Sequence, residues 1–128
     1  MNAKWLLPLA VTLHNVEEAI WLPGFRARHG WTSITPSQFR LAALASVLVA
    51  LAVTYAATQN KRSPIASLIF HAFCWIMLVN VLWHVGASFY FRAYAPGSIT
   101  AVALVLPITL YLIFWIRIRD GKKRAGFD

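Results

Sequence analysis

The sequence predicts an all-α fold: a polytopic membrane protein built as a bundle of four transmembrane helices. The first observation is composition, because 59% of the 128 residues are hydrophobic and only 12% are charged. Soluble domains are about half apolar and a quarter charged, so this chain has too few polar side chains to cover a globular core. Such high hydrophobicity also excludes an intrinsically disordered chain.

The second observation is a set of four apolar stretches, each close to the roughly 20 residues that cross a bilayer as a helix. They lie at about residues 5–22, 39–58, 65–90 and 99–118. Turn-forming residues separate them, namely Pro23-Gly24, Thr35-Pro36-Ser37, Ser63-Pro64 and Ala95-Pro96-Gly97-Ser98. We therefore interpret residues 1–128 as a single four-helix transmembrane domain, with Ser63 as a helix cap and a kink at Pro107.

The third observation is an excess of positive charge, with 12 Lys and Arg residues against 4 Asp and Glu residues. An even number of spans puts both chain ends on one side of the membrane. That side carries Lys4, Lys61, Arg62, Arg117, Arg119, Lys122, Lys123 and Arg124, and the other carries Arg26, Arg28, Arg40 and Arg92. Basic residues are enriched on the cytoplasmic side, so we expect both termini in the cytoplasm and the chain in a bacterial inner or plasma membrane.

The position of the basic residues also indicates the kind of partner. They flank apolar spans and do not form a face on a soluble scaffold, which favours membrane lipids and argues against nucleic acid.

Two neighbouring acids in the first stretch are the most informative feature of the chain. Glu17 and Glu18 are the acidic residues that lie within an apolar stretch. An acid at the centre of a spanning helix costs about 2.5 to 3.5 kcal/mol on insertion scales, so these side chains need polar partners. His14 precedes them by three and four residues, which places all three side chains on one helix face.

The third stretch carries a second polar face, because Asn80 and His84 repeat the four-residue spacing. Both stretches run outward through the membrane, and a helix rises 1.5 Å per residue. Counted from the outer helix ends, Glu18 lies ~6 Å, His84 ~10 Å and His14 ~12 Å deep. We therefore expect helices one and three to share one polar site in the outer half of the bilayer.

Three short motifs follow one another in the chain: His14-Asn15-Val16-Glu17-Glu18, Asn80-Val81-Leu82-Trp83-His84 and Tyr94-Ala95-Pro96-Gly97. With these motifs the sequence resembles a family of uncharacterised membrane proteins named for an HXXEE motif, whose other signatures are NXXXH and YXPG. The resemblance extends from the first helix to the third loop. It implies a membrane protein and marks these residues as a site, and it implies no particular activity.

The residue types of this site favour a metal. His14, Glu18 and His84 would form a set of two histidines and one carboxylate, which suits zinc with an open water position and equally iron(II). Glu17 would then be the base that activates the water, and Asn80 would orient a ligand or hold a developing oxyanion. A dinuclear site with both glutamates as bridges is an alternative form of the same hypothesis. In either form the hypothesis describes a metal-dependent enzyme, of hydrolase or oxidoreductase type, that acts on a small or lipid-like substrate.

Three other interpretations use the same residues. In a metal-free intramembrane hydrolase, one of Glu17 and Glu18 acts as a base toward water and the other as an acid. In a carrier, the acids and histidines relay protons or bind a cation, and a homo-oligomer is needed because four helices enclose little pore. Purely structural hydrogen bonds between helices explain Asn80 well but two adjacent glutamates poorly, since each such bond is worth only ~0.6 to 2 kcal/mol.

Residues of the outer loops are weaker candidates for substrate binding or for a lid. Arg92 ends the third stretch and offers a cation to an anionic substrate. Tyr94 opens a segment in which Pro96 and Gly97 occupy the central positions of a type II turn, and its hydroxyl could reach down toward the site. His71 lies ~220° around the third helix from His84, so we expect it to point away from the ligands.

Overall fold

The computed structural model describes residues 2–30, 35–60 and 62–115. Over these ranges the chain forms four long helices and no strand, which confirms the predicted all-α class. A single 3-10 turn, Ala3–Trp5, precedes the first helix. The helices are α1, Leu6–His29; α2, Pro36–Gln59; α3, Pro64–Phe91; and α4, residues 98–115.

The starts of α2 and α3 follow directly from their sequences. Thr35 and Gln38 form a capping box at the start of α2, in which each side chain bonds to the backbone of the other. The Ser63 hydroxyl accepts a hydrogen bond of 3.2 Å from the Ala66 N–H, which confirms the predicted cap of α3. Pro36 and Pro64 occupy the first helical positions, where a missing N–H costs nothing.

The predicted turn at Pro23-Gly24 is wrong, because α1 continues through both residues to His29 and is capped by Gly30, with φ 66°. Tertiary packing explains the longer helix. Phe25 is only 2% exposed, stacks on His29 with ring centroids 4.3 Å apart, and meets Phe91 edge to face at 5.3 Å. The packing of Phe25 against Phe91 at the end of α3 therefore offsets the loss of the helix hydrogen bond that Pro23 cannot make, and α1 continues.

The predicted distortion at Pro107 takes the form of wide helical turns. Two π-helical segments, Ala101–Val105 and Tyr111–Trp115, flank the α-helical Leu106–Leu110. A proline ring clashes with the carbonyl four residues earlier, and a wide turn relieves this clash. The predicted end of this helix, at about residue 118, lies outside the described residues.

The helices pack in a ring in which α1 and α3 each contact α2 and α4. Consequently α1 and α3 face each other across the bundle. The buried core contains apolar side chains from all four helices, namely Leu7, Ala10, Val11, Ala50, Ala57, Phe70, Cys74, Met77, Val81, Ala101, Val105, Leu112 and Ile113.

Asn15 joins α1 to α2, because its Nδ2 atom donates to the Ser46 hydroxyl at 2.7 Å and to the Ala43 carbonyl at 3.2 Å.

Many large apolar side chains lie on the outside of the bundle, including Leu68, Leu82 and Phe89. Among the described residues, α2 and α3 are the helices long and apolar enough to cross a membrane. The apolar part of α4 that the structure describes, Ser98–Phe114, is shorter, and α1 carries the two acids. The number of spans and their direction therefore stay predictions.

Candidate metal centre

Three side chains that can bind metals meet between α1 and α3. His14 and Glu18 lie one turn apart on α1 and His84 lies on α3, and one ligand atom from each lies within 4.8 Å of the others. The Glu18 carboxylate oxygens lie 3.2 Å from His84 Nε2 and 3.9 Å from His14 Nε2. The two imidazole rings meet edge to face with centroids 4.7 Å apart. The predicted proximity of these three residues is confirmed.

Successive residues of an α-helix are rotated by 100° about its axis, so neighbouring residues of α1 contact different partners. His14 and Glu18, 40° apart, face α3 across the bundle. Asn15, 100° beyond His14, faces α2, where it bonds to Ser46. Glu17 lies 60° from His14 on the opposite side and meets the turn that precedes α4. A single motif on α1 therefore contacts all three other helices or their flanking turns.

Both histidines of the cluster are buried, with exposed fractions of 2% for His14 and 5% for His84. Their Nε2 atoms have no hydrogen-bond partner among the residues that the structure describes. The 3.2 Å contact between His84 Nε2 and Glu18 is an ion-pair distance without the alignment of a hydrogen bond. The three ligand atoms therefore lie close together without hydrogen bonds between them, as expected of a set that can bind a metal.

Gly97 closes one side of the cluster. The Ser98 N–H donates to the Ala95 carbonyl at 3.1 Å and Gly97 has φ 89°, ψ −14°, so residues 95–98 form the predicted type II turn. A Cβ atom on Gly97 would lie 2.8 Å from Cε1 of both His14 and His84, and 2.9 Å from Cγ of Glu18. Glycine is therefore needed here both for the backbone angle and for the space against the three side chains.

The Glu17 carboxylate is bound by the segment that begins α4. One oxygen accepts hydrogen bonds from the Tyr94 hydroxyl and from the Gly97 N–H at 3.2 Å. The other accepts from the Thr100 N–H at 2.8 Å. With both oxygens engaged in this way, Glu17 lies beside the His14, Glu18 and His84 group and is not a member of it.

Sequence reasoning missed Thr100 as part of the site. Its Oγ1 atom lies 3.0 Å from His14 Nδ1 and donates to the Gly97 carbonyl at 3.3 Å. No motif marks this residue. Its position three residues after the YXPG turn, on the first turn of the next helix, is the signal that could have indicated it.

The other predicted site residues lie around this group. Asn80 is half-buried one turn before His84, and its Oδ1 atom is buried without a partner among the described residues. Arg92 is exposed and ends α3 with φ 48°. Tyr94 is 43% exposed as a whole residue, while its hydroxyl reaches inward to Glu17. His71 bonds through Nδ1 to the Ser67 carbonyl of its own helix at 2.7 Å.

Fold and site together define an all-helical protein with a buried group of two histidines and one glutamate that could hold a metal ion. Residues 5–112 match the model of a family described as a protein of unknown function with HXXEE motif, and the chain belongs to this family. The resemblance seen in the three motifs is thereby confirmed.

A relative in Bacillus subtilis (strain 168), named "Uncharacterized protein YrkK", is similar to the chain. It is 30% identical over 114 residues, which cover 87% of this chain and 72% of the relative. No solved structure gives a significant match.

Proposed function

We propose that this chain is an integral membrane protein that binds a transition-metal ion, zinc or iron(II), through His14, Glu18 and His84. The bound metal serves an enzymatic reaction, of hydrolase or oxidoreductase type, on a small or lipid-like substrate. One observation carries the proposal: three potential ligands converge, and the Nε2 atoms of both histidines are buried without hydrogen-bond partners. Buried polar atoms without partners are rare, and because His71 Nε2 is another such atom, it is the convergence of both histidines with Glu18 that points to a metal here.

The spacing of the donors supports a metal. Metal–ligand bonds of about 2.1 Å place the ligand atoms of a tetrahedral site roughly 3 to 4 Å apart. One Glu18 oxygen lies 3.2 Å from His84 Nε2 and the other lies 3.9 Å from His14 Nε2, both within this range. The three ligand atoms together lie within 4.8 Å of one another, so binding of a metal would draw them slightly closer. Two imidazoles and a carboxylate leave coordination positions open, and a metal held there supplies Lewis-acid activation of water or substrate.

The surroundings of the ligands support reaction with a molecule that enters from outside the bundle. Glu18 is 14% exposed, whereas both histidines are nearly sealed. Glu18 therefore marks the open side of the site. Asn80 presents a buried amide oxygen one turn from His84, which suits a residue that orients a metal ligand or substrate.

The placement in the membrane rests on the apolar surface and on the basic residues. Four spans with both termini in the cytoplasm would leave the site in the outer half of the bilayer, in a bacterial inner or plasma membrane. A metal would offset the cost of holding the Glu18 carboxylate in this apolar surrounding, because it pairs the charge.

Metal analysis of the protein purified in detergent tests the proposal. We expect about one zinc or iron per wild-type chain and at least a tenfold loss of metal in His14→Ala, Glu18→Ala and His84→Ala. His71→Ala is the matched control, because His71 lies on α3 and bonds to its own helix, and it should keep the wild-type metal content. Metal-free wild-type protein after growth with added zinc or iron would refute the site, as would full metal in His84→Ala.

The metal-free hydrolase is less well supported by the geometry. That mechanism needs Glu17 and Glu18 to act together on one water molecule. Three hydrogen bonds hold the Glu17 carboxylate to residues 94–100 instead, on a different side of α1 from the Glu18 contacts.

A further inference from the structure

We infer that Glu17 is a positioning residue: it holds the segment 94–100, here called the site turn, against the metal centre, and through Thr100 it fixes which nitrogen His14 offers to the metal. This inference rests on the proposed metal site. The positioning role replaces the role of water-activating base that the sequence led us to expect for Glu17. The structural reasons are the hydrogen bonds of Glu17, the hydroxyl of Thr100 and the close approach of Gly97.

Glu17 supplies a cap that α4 lacks in its own sequence. Gly97, at the N-cap position of α4, has no side chain to bond the free N–H groups of the first turn. The Glu17 carboxylate, which comes from α1, accepts from two of these groups, the N–H of Gly97 and the N–H of Thr100. A carboxylate at a helix N-terminus is also favoured by the helix dipole. Glu17 thereby joins α1 to the start of α4.

Thr100 connects the site turn to His14 through a contact between its hydroxyl and the imidazole ring. Its hydroxyl has a single hydrogen, which it donates to the Gly97 carbonyl at 3.3 Å. The Gly97 carbonyl can only accept a hydrogen bond, whereas His14 Nδ1, 3.0 Å from Thr100 Oγ1, can donate one. Both contacts are therefore made as hydrogen bonds when Nδ1 carries the proton and Oγ1 accepts it. A neutral imidazole protonated on Nδ1 has its lone pair on Nε2. That atom is the one that faces Glu18, at 3.9 Å.

The site turn also shapes the cluster directly. Gly97 packs against His14, His84 and Glu18 so closely that its missing side chain is required. Because Glu17 binds the N–H groups of both Gly97 and Thr100, its loss frees the two parts of the turn that touch the ligands. Tyr94 adds a third hydrogen bond to the same carboxylate.

Three variants and one control test the inference. Glu17→Gln keeps the size of the side chain, but its amide nitrogen cannot accept from a backbone N–H. Thr100→Val removes the hydroxyl at nearly constant volume, and Thr100→Ser restores it. Thr109→Val is the matched control, because Thr109 is buried in α4 and bonds only to carbonyls of its own helix among the described residues, Val105 at 2.6 Å and Leu106 at 3.1 Å.

The first readout is metal affinity, measured by competition with a chromophoric zinc chelator. We expect Glu17→Gln and Thr100→Val to weaken zinc binding by about 10- to 100-fold, as is typical when a partner of a metal ligand is lost. Thr100→Ser and Thr109→Val should bind zinc like the wild type. Wild-type affinity in both Glu17→Gln and Thr100→Val would overturn the inference. If Glu17→Gln does not fold, the Thr100 pair decides.

The second readout needs no metal. In the metal-free protein, ¹⁵N NMR of the histidine rings should show His14 protonated on Nδ1 in the wild type and in Thr100→Ser, and a mixture of both tautomers in Thr100→Val. An unchanged tautomer in Thr100→Val would overturn the inference even if zinc binds as proposed. Conversely, a wild-type protein without zinc affinity but with the Thr100-dependent tautomer would refute the metal site and leave the contact between Thr100 and His14 intact.

Discussion

Gly97 is the residue whose environment leaves the least freedom for substitution. Its φ of 89° lies in the left-handed region, where a side chain is strained, and a Cβ would come within 2.9 Å of three ligand side chains. These atoms include Cε1 of both imidazoles, so the histidines cannot keep their positions beside an alanine.

Gly97→Ala should therefore reduce the metal content to less than a tenth of the wild-type value, although no ligand is changed. Metal analysis of the purified protein measures this effect. Gly86→Ala is the control, since a Cβ at Gly86 meets nothing within 4 Å and alanine is the better helix former by about 0.5 to 1 kcal/mol. A Gly97→Ala protein that binds metal at the wild-type level would show that the site turn does not define the site.

At this scale the sequence predicts the ligands but not their neighbours. Helical spacing and depth bring His14, Glu18 and His84 together, because both quantities depend only on helix geometry. Gly97 and Thr100 act through the path of the chain after α3, where the turn folds back against the bundle. No periodicity describes that path. For the same reason, the hydrogen bonds from the Gly97 and Thr100 N–H groups to Glu17 could not be anticipated, whereas the inward reach of the Tyr94 hydroxyl is expected from the sequence.

Among the helices, α2 gives the clearest test of the membrane arrangement. It is apolar throughout its centre, with Ser37 exposed near one end and Asn60 exposed beyond the other. If α2 spans the membrane in the direction that the basic residues predict, Ser37 faces outward and Asn60 faces the cytoplasm.

Cysteine labelling in intact cells checks this orientation. In a Cys74→Ala background, which removes the single cysteine of the sequence, we expect a membrane-impermeant maleimide to label Ser37→Cys. Asn60→Cys should be labelled only after the membrane is permeabilised. Labelling of Asn60→Cys alone in intact cells would reverse the orientation, and equal labelling of both would contradict a membrane-spanning α2.

The sequence predicts the helices better than their boundaries. Ser63 and Thr35 both cap their helices through local hydrogen bonds. The predicted cap at Ser63 is confirmed, whereas Pro36 and Ser37, predicted to lie in a turn, already belong to α2. The end of α1 depends instead on packing of Phe25 against Phe91, which lies on another helix. The π-helical turns of α4 likewise depend on how the chain accommodates Pro107, and the proline alone predicts only a distortion.

For the whole molecule, the ring order of the helices makes the site possible. Because α1 and α3 face each other across the bundle, their motifs meet in the interior, and the site turn joins α3 to α4 over this point. The three motifs thus belong to one structure: two supply the group of His14, Glu18 and His84, and the third supplies the turn that closes it. The order of motifs in the sequence does not reveal this arrangement, because it contains no information on which helices are neighbours.

The most direct test of the account is the location of a metal by anomalous diffraction from crystals of the protein grown with zinc. The account predicts one anomalous peak about 2.0 to 2.2 Å from Nε2 of His14, Nε2 of His84 and a carboxylate oxygen of Glu18, with Gly97 beside it. A peak bound by other residues, or no peak between these three side chains, would contradict the proposed centre.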